Sequence, residues 1–208
     1  MVPRSCLDDR PAPVVTDTSV VINLNATGNA AAILGALPNR CVVVEAVSLE
    51  LQAGRRTGRG DADALAVLID QHLVERVQLG DLGMSHFESL VSGSAAETLD
   101  DGEAATIACA IERSAVALID DRKAIRICKE RFPNLTVGCT VDVLAQRDVR
   151  AALGTRLGDA VFSALERGRM RVPDRYGPWV VDLIGQEQAA ACRSLPRRFR
   201  KSSPPRSD

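Results

Sequence analysis

Val14-Val15-Thr16-Asp17-Thr18-Ser19-Val20-Val21 reads as a β-branched strand that ends in a carboxylate and turns into a helix. Thr18 or Ser19 stands where an N-cap belongs. The same grammar returns downstream in Val116-Ala117-Leu118-Ile119-Asp120-Asp121-Arg122-Lys123: a buried-looking strand, an acidic end, a helix over 122–132. Between them, Cys41-Val42-Val43-Val44 is a third continuous apolar run, followed by a helix over 45–53. Other helices are expected at 18–24, 30–37, from Asp61 (as cap) to about His72, at 85–91, and at 101–113, where Asp101-Gly102-Glu103 opens an alanine-rich segment. The alternating segment 73–79 suits an edge strand, and 135–139 a further strand. Helices at 140–147, 156–167 and 176–184 complete the pattern. Strands alternating with helices imply βαβ units with helices on both faces of the sheet. The fold class is therefore α/β: a three-layer α/β/α arrangement around a small, mostly parallel sheet, with a C-terminal helical extension.

The boundaries that follow are an irregular leader at 1–13, an α/β domain at 14–147, a helical extension packed on it at 148–185, and a basic tail at 186–208 expected to be disordered. With 208 residues the chain suffices for a sizeable core. Aromatics make up only 3%, which argues against reading single strands through rows of stacked rings. The formal charge of −1 means that a polyanionic partner must be met by a local basic patch.

The six cysteines (Cys6, Cys41, Cys109, Cys128, Cys139, Cys192) contain no Cys-x-x-Cys pair, and only His72 and His86 are available to join them. That spacing does not suit zinc. Buried reduced thiols are the ordinary reading for Cys41, Cys109, Cys128 and Cys139. No signal-peptide core opens the chain, and no stretch of about 18 apolar residues is available to span a membrane. A reducing cytoplasm is the expected compartment.

In open parallel sheets, ligands gather at the carboxyl ends of the strands. Asp17 and the Asp120-Asp121 pair lie at such ends, and Glu50 and Glu103 lie on helices that can approach them. Each acid alone has a plain role as a cap, a first-turn charge or a solvated surface group. Together they suggest a site for a hard divalent cation, because clustered carboxylates repel and raise one another's pKa unless a cation relieves them. Mg²⁺ or Mn²⁺ in such a site polarises a phosphate and activates water. Thr18 and Ser19 can orient water or a phosphate oxygen. Arg55, Arg56 and Arg59 in a glycine-punctuated loop, and Arg122 and Lys123 after the aspartate pair, can hold a phosphate backbone. Solvated charge is an equally ordinary reading for the loop, and pairing with the acids for the last two.

The strings Val14-Val15-Thr16-Asp17-Thr18-Ser19-Val20-Val21-Ile22-Asn23, Asp101-Gly102-Glu103-Ala104-Ala105-Thr106-Ile107-Ala108 and Ala117-Leu118-Ile119-Asp120-Asp121-Arg122-Lys123-Ala124, in that order, resemble the PIN-domain family. They are most similar to its Gly-Glu-Ala subgroup, relatives of VapC-like toxins. The resemblance covers roughly 14–147, and 156–184 looks like that subgroup's C-terminal helical hairpin. It implies a metal-dependent ribonuclease whose catalytic acids are Asp17, Glu50, Glu103 and Asp121, with the metal held by Asp17, Glu103, Asp120 and Asp121. Glu45 is the rival of Glu50; the two lie about 140° apart on a helix, so only one points inward. Where many relatives carry a second acid at the start of the Gly-Glu-Ala helix, this chain has Ala105, which thins the metal roster. The resemblance further implies an RNA substrate, a homodimer and a small antitoxin partner. Two other classes compete. One is a PIN-like nucleic-acid-binding or interaction module with lost activity. The other is a phosphotransfer domain on a similar sheet, whose nucleophile would usually be followed two residues on by a second aspartate, where Ser19 stands. No Walker loop or Gly-x-Gly-x-x-Gly is present to support a nucleotide-driven enzyme.

Overall fold

Five short strands make one all-parallel sheet in a computed structural model of the chain, which describes residues 1–55 and 60–200 apart from the side chain of Arg55. They are β1 (Val14–Thr16), β2 (Cys41–Val44), β3 (Val74–Val77), β4 (Val116–Leu118) and β5 (Val137–Gly138), in the spatial order β3-β2-β1-β4-β5. Val14 pairs with Cys41 on one side and Val116 on the other, which puts β1 at the centre. The chain builds outward from β1 through β2 to β3, then returns to the other side of β1 for β4 and β5. The switch point of the topology therefore lies between β1 and β4, where the crevice of such sheets forms.

Strand pleating sends successive side chains to opposite faces. Val14, Cys41, Val43, Val74, Val116 and Leu118 enter one apolar core. Val15, Val42, Val44, Val77, Ala117 and Ile119 enter the other. The first core is covered by α1 (Thr18–Ala26), α2 (Ala30–Ala36), α3 (Glu45–Arg55), α4 (Asp61–Asp70), α8 (Thr140–Ala145), α9 (Arg147–Leu153), α10 (Leu157–Glu166) and α11 (Gly177–Ile184). The second is covered by α5 (Asp81–Val91), α6 (Asp101–Glu112) and α7 (Arg122–Arg131). This is a three-layer α/β/α fold, and β3 lies at its edge as the alternation in 73–79 implies. Cys41, Cys109, Cys128 and Cys139 are buried free thiols. No helix among the described residues is long and apolar enough to cross a membrane.

Four local expectations change. The cap of α1 is Asp17 itself, whose carboxylate accepts from Ser19 N; Thr18 and Ser19 are inside the helix. Likewise Gly60, not Asp61, caps α4. The segment at 140–147 is two helices, α8 and then α9, with Gln146 Oε1 accepting from Asp148 N at 2.7 Å and Val149 N at 3.0 Å to start the second. Finally, the segment expected as a disordered tail folds as far as it is described. It forms α12 (Gln186–Ala191) and α13 (Arg197–Arg200), burying Ala189, Cys192 and Leu195 against the core, while Ser194 Oγ donates to Leu165 O.

The irregular leader also packs. Leu7 is buried, Ser5 Oγ donates to Asp142 O at 2.7 Å, and Cys6 N donates to Asp142 Oδ1 at 3.1 Å. Asp142 is the polar centre of that corner. It also accepts from Cys139 N, Cys139 Sγ, Tyr176 Oη and Arg175 Nη2. Burial and the neighbouring Asp142 push the Cys6 thiol up to about 12, so it stays protonated at neutral pH.

Candidate active site

Asp17 and Asp121 are placed by the same local rule. Each follows a strand end, adopts extended backbone and caps the next helix with its carboxylate. Asp17 accepts from Ser19 N at 3.1 Å and Ser19 Oγ at 2.6 Å. Asp121 accepts from Lys123 N at 2.6 Å and Ala124 N at 3.0 Å. They sit on the strands flanking the switch point. Glu103 comes to them from the first turn of α6: its carboxyl is pushed up to about 8 by burial and by the charges of Asp121, Asp17 and Asp100. Burial raises Asp17 as well, against the pull of its Ser19 donors, with Glu50 adding to the rise.

Glu50 closes the ring. From α3 it accepts from Gly102 N at 2.8 Å and from the hydroxyl of Thr18. Glu45, one end of the same helix, accepts instead from Gln78 Nε2 at the exposed edge of the sheet. The rivalry between the two is resolved by geometry in favour of Glu50. Gly102 was not foreseen. A Cβ there would stand 2.7 Å from both Cδ and Oε1 of Glu50, closer than carbon atoms approach, so only glycine admits this carboxylate. Gly102→Ala is accordingly expected to swing Glu50 out of the ring, lowering any cleavage rate by about 10-fold or more while leaving the fold intact. Equal rates for variant and parent, at matched far-ultraviolet circular dichroism, would refute this.

Asp120 is not brought to the ring, which corrects its placement beside the metal. Pleating turns it to the other face of the sheet. There it is 6% exposed and accepts from Thr140 N at 3.0 Å, Thr140 Oγ1 at 2.5 Å and Asn23 Nδ2 at 2.6 Å. With both oxygens so engaged, it ties α1 and α8 to β4. Thr18 and Ser19 spend their hydroxyls on Glu50 and Asp17, so they orient carboxylates. Arg122 is exposed at the start of α7, whereas Lys123 Nζ donates to Ala95 O at 2.7 Å. Arg56 and Arg59 lie outside the described residues, as does the side chain of Arg55. Ala105 is buried in the second core, so an acid there would face the sheet.

Among the described residues none of Asp17, Glu50, Glu103 and Asp121 forms an ion pair. Four carboxylates without a compensating cation are the donor chemistry of a hard divalent ion. Among the described residues no three His, Cys, Asp or Glu side chains are gathered tightly enough to hold an ion as they stand. Loading one requires carboxylates to exchange their present hydroxyl and amide donors for it. By donor type and charge, rather than by their present spacing, the residues suit such an ion.

A small all-parallel sheet between two helical layers, with acids drawn together at its switch point, makes the protein an α/β/α domain with an acidic centre. A family model described as a PIN domain matches residues 13–184, and the chain belongs to the PIN-domain family, whose members are generally nucleases. A search of curated proteins finds no match.

Proposed function

We propose that the protein is a metal-dependent endoribonuclease, with Mg²⁺ or Mn²⁺ held by Asp17, Glu103 and Asp121. The observation that carries this reading is the group of four carboxylates without a cation at the switch point, where burial first, and then the charges of Asp121, Asp17 and Asp100, push Glu103 up to about 8. A bound divalent ion supplies charge neutralisation, polarisation of the phosphate and activation of water. Each residue of the chain then has a distinct task. Asp17, Glu103 and Asp121 hold the ion through oxygen donors. Glu50, fixed by Thr18 and Gly102, accepts a proton or a water hydrogen bond at the crevice wall. Arg122, exposed beside Asp121, contacts a phosphate oxygen of the strand being cut. Asp120, through Asn23 and Thr140, holds β4 in register with α1 and so positions Asp121.

The preference for RNA, the role as toxin of a toxin–antitoxin pair, the homodimer and the small antitoxin rest on the resemblance to VapC-like PIN domains. Six free thiols suit action in a reducing cytoplasm. The test is incubation of a structured-RNA pool and a matched DNA pool with purified protein in Mg²⁺, Mn²⁺ or EDTA, beside Asp17→Asn. Cutting of RNA with metal, lost in EDTA and in the variant, is the expected result. Intact RNA in every lane, with folded protein free of inhibitor, would transfer the assignment to a PIN-like binding module.

A further inference from the structure

The basic charge of this chain is concentrated where the family match ends. From Arg167 to Arg200 there are eight arginines against three acids, in a protein whose formal charge is −1. This run wraps a cleft of about 650 Å³ between the end of α10 and the turn after α12, lined by Arg169, Arg171 and Arg193 together with Leu165, Cys192 and Ser194. Glu166 is the acid at its rim. Arg169 and Arg193 are exposed, and neither makes an ion pair among the described residues. Cations left unneutralised around a concave surface are not needed for folding, and they concentrate a positive field in the cleft.

Both walls of the cleft are fixed by backbone and core contacts. The Arg169 backbone is left-handed, with φ 58°, and the chain behind it is closed by Met170 N donating to Ala164 O at 2.9 Å. The other wall, α12 and its following turn, is anchored by buried Cys192 and Leu195 and by Ser194 Oγ on Leu165 O. Gly168 abuts α1: a Cβ on it would lie 3.1 Å from Asn23 Cα. Asn23 in turn donates to Asp120, the immediate neighbour of Asp121. The segment that carries Arg169 thus packs on the helix that Asp17 caps, through Gly168 and Asn23.

We infer that the cleft lined by Arg169, Arg171 and Arg193 binds the phosphodiester backbone of a single nucleic-acid strand whose reactive segment lies at the acid ring. The inference rests on the nuclease reading and deepens it. The ring repels a polyanion, so the affinity that holds the strand must come from elsewhere on the surface, and this arginine set is placed to supply it. Guanidinium forks suit phosphate oxygens, and backbone contacts carry no sequence information. Arg193 lies beyond the family match, so this binding surface is a feature of this chain's C-terminal segment.

The experiment is fluorescence-anisotropy titration of labelled single-stranded RNA and DNA oligonucleotides of one sequence with full-length protein, in EDTA so that nothing is cut, across a salt series. The comparison is with R169A/R171A/R193A and with R169K/R171K/R193K, each checked for unchanged melting. Loss of three phosphate contacts is expected to weaken binding about 10- to 100-fold at low salt and to flatten the log–log salt slope by about 2. The lysine variant should recover most of the slope. Both oligonucleotides should lose alike, since the contact is to backbone. An alanine variant with parental affinity and salt slope, or a parent that binds neither oligonucleotide, would overturn the inference. Neither result touches the nuclease reading, which stands or falls on metal-dependent cutting.

Discussion

Asp142→Ala is expected to destabilise the protein by about 3–5 kcal/mol, the cost of removing one partner from a buried charged network. The carboxylate is 1% exposed and accepts from five groups: Cys6 N, Cys139 N, Cys139 Sγ, Tyr176 Oη at 2.8 Å and Arg175 Nη2 at 2.7 Å. Three lengths of chain distant in sequence meet there: the leader, the β5–α8 turn, and the segment before α11. Truncation leaves buried backbone amides and a fully buried tyrosine hydroxyl with fewer acceptors, at about 1–3 kcal/mol for each group left unpaired. Arg175 contributes less, because it is itself half exposed and water can replace its partner. For a chain of this size each kcal/mol moves the melting temperature by about 2–4 °C, so a loss of order 10 °C is expected. Asp142→Asn, which keeps one acceptor oxygen but turns an amide group toward donors, should fall between. Limited proteolysis should clip the leader first in the alanine variant. Chemical denaturation placing Asp142→Ala within 1 kcal/mol of the parent would show that the network is replaceable.

The central strands were legible because β1, β2 and β4 are short apolar runs, buried on both faces and closely followed by acids, whereas β3 was legible as an edge strand from its alternation. What stayed hidden depended on contacts between distant segments. Helix α5 begins at Asp81, four residues before the expected start at 85, because Glu112 of α6 accepts from Gly80 N and Gly83 N. That is a cap supplied from another helix, with no local signal. Helix α9 was missed because its cap is a glutamine. The tail was misread because its arginines dominate its composition. The residues that fold it, Ala189, Cys192 and Leu195, recur every three positions and are buried. At the site, Asp17, Glu103 and Asp121 could be read from motif and strand end, and pleat parity already separates Asp121 from Asp120. Ile119 and Asp121 share one face, while Leu118 and Asp120 share the other. The choice of Glu50 over Glu45 required Thr18 and Gly102 to be seen in place, since helical spacing alone excludes only their joint use.

The second large effect concerns Glu103, and its sign can be worked out in advance for the metal-free protein. Its carboxyl is raised from 4.5 to about 8, first by burial, then by the charges of Asp121, Asp17 and Asp100. Between those pH values the folded state holds a proton that the unfolded chain has released. Stability therefore falls as pH rises through this window and levels off above about 8. Glu103→Gln carries the neutral form permanently and removes this dependence. In EDTA the two proteins should melt together near pH 4.5, with the glutamine variant increasingly the more stable as pH approaches 8. Burial also raises Asp17 and Asp120, so both proteins keep a slope of the same sign from these acids and the effect of Glu103 is the difference between the two, while the lowered carboxyls of Glu112 and Asp148 add none of that sign. Divalent cation should then stabilise the parent at the upper end of the window far more than the variant, because only the parent brings a releasable charge to the ion. The same substitution should abolish cutting if Glu103 holds the metal, giving a protein that is more robust and less active. Parallel melting curves for the two proteins across the window would mean that burial and the neighbouring acids do not raise Glu103. Active sites that gather like charges trade folding stability for function, and this difference in pH dependence measures the trade directly.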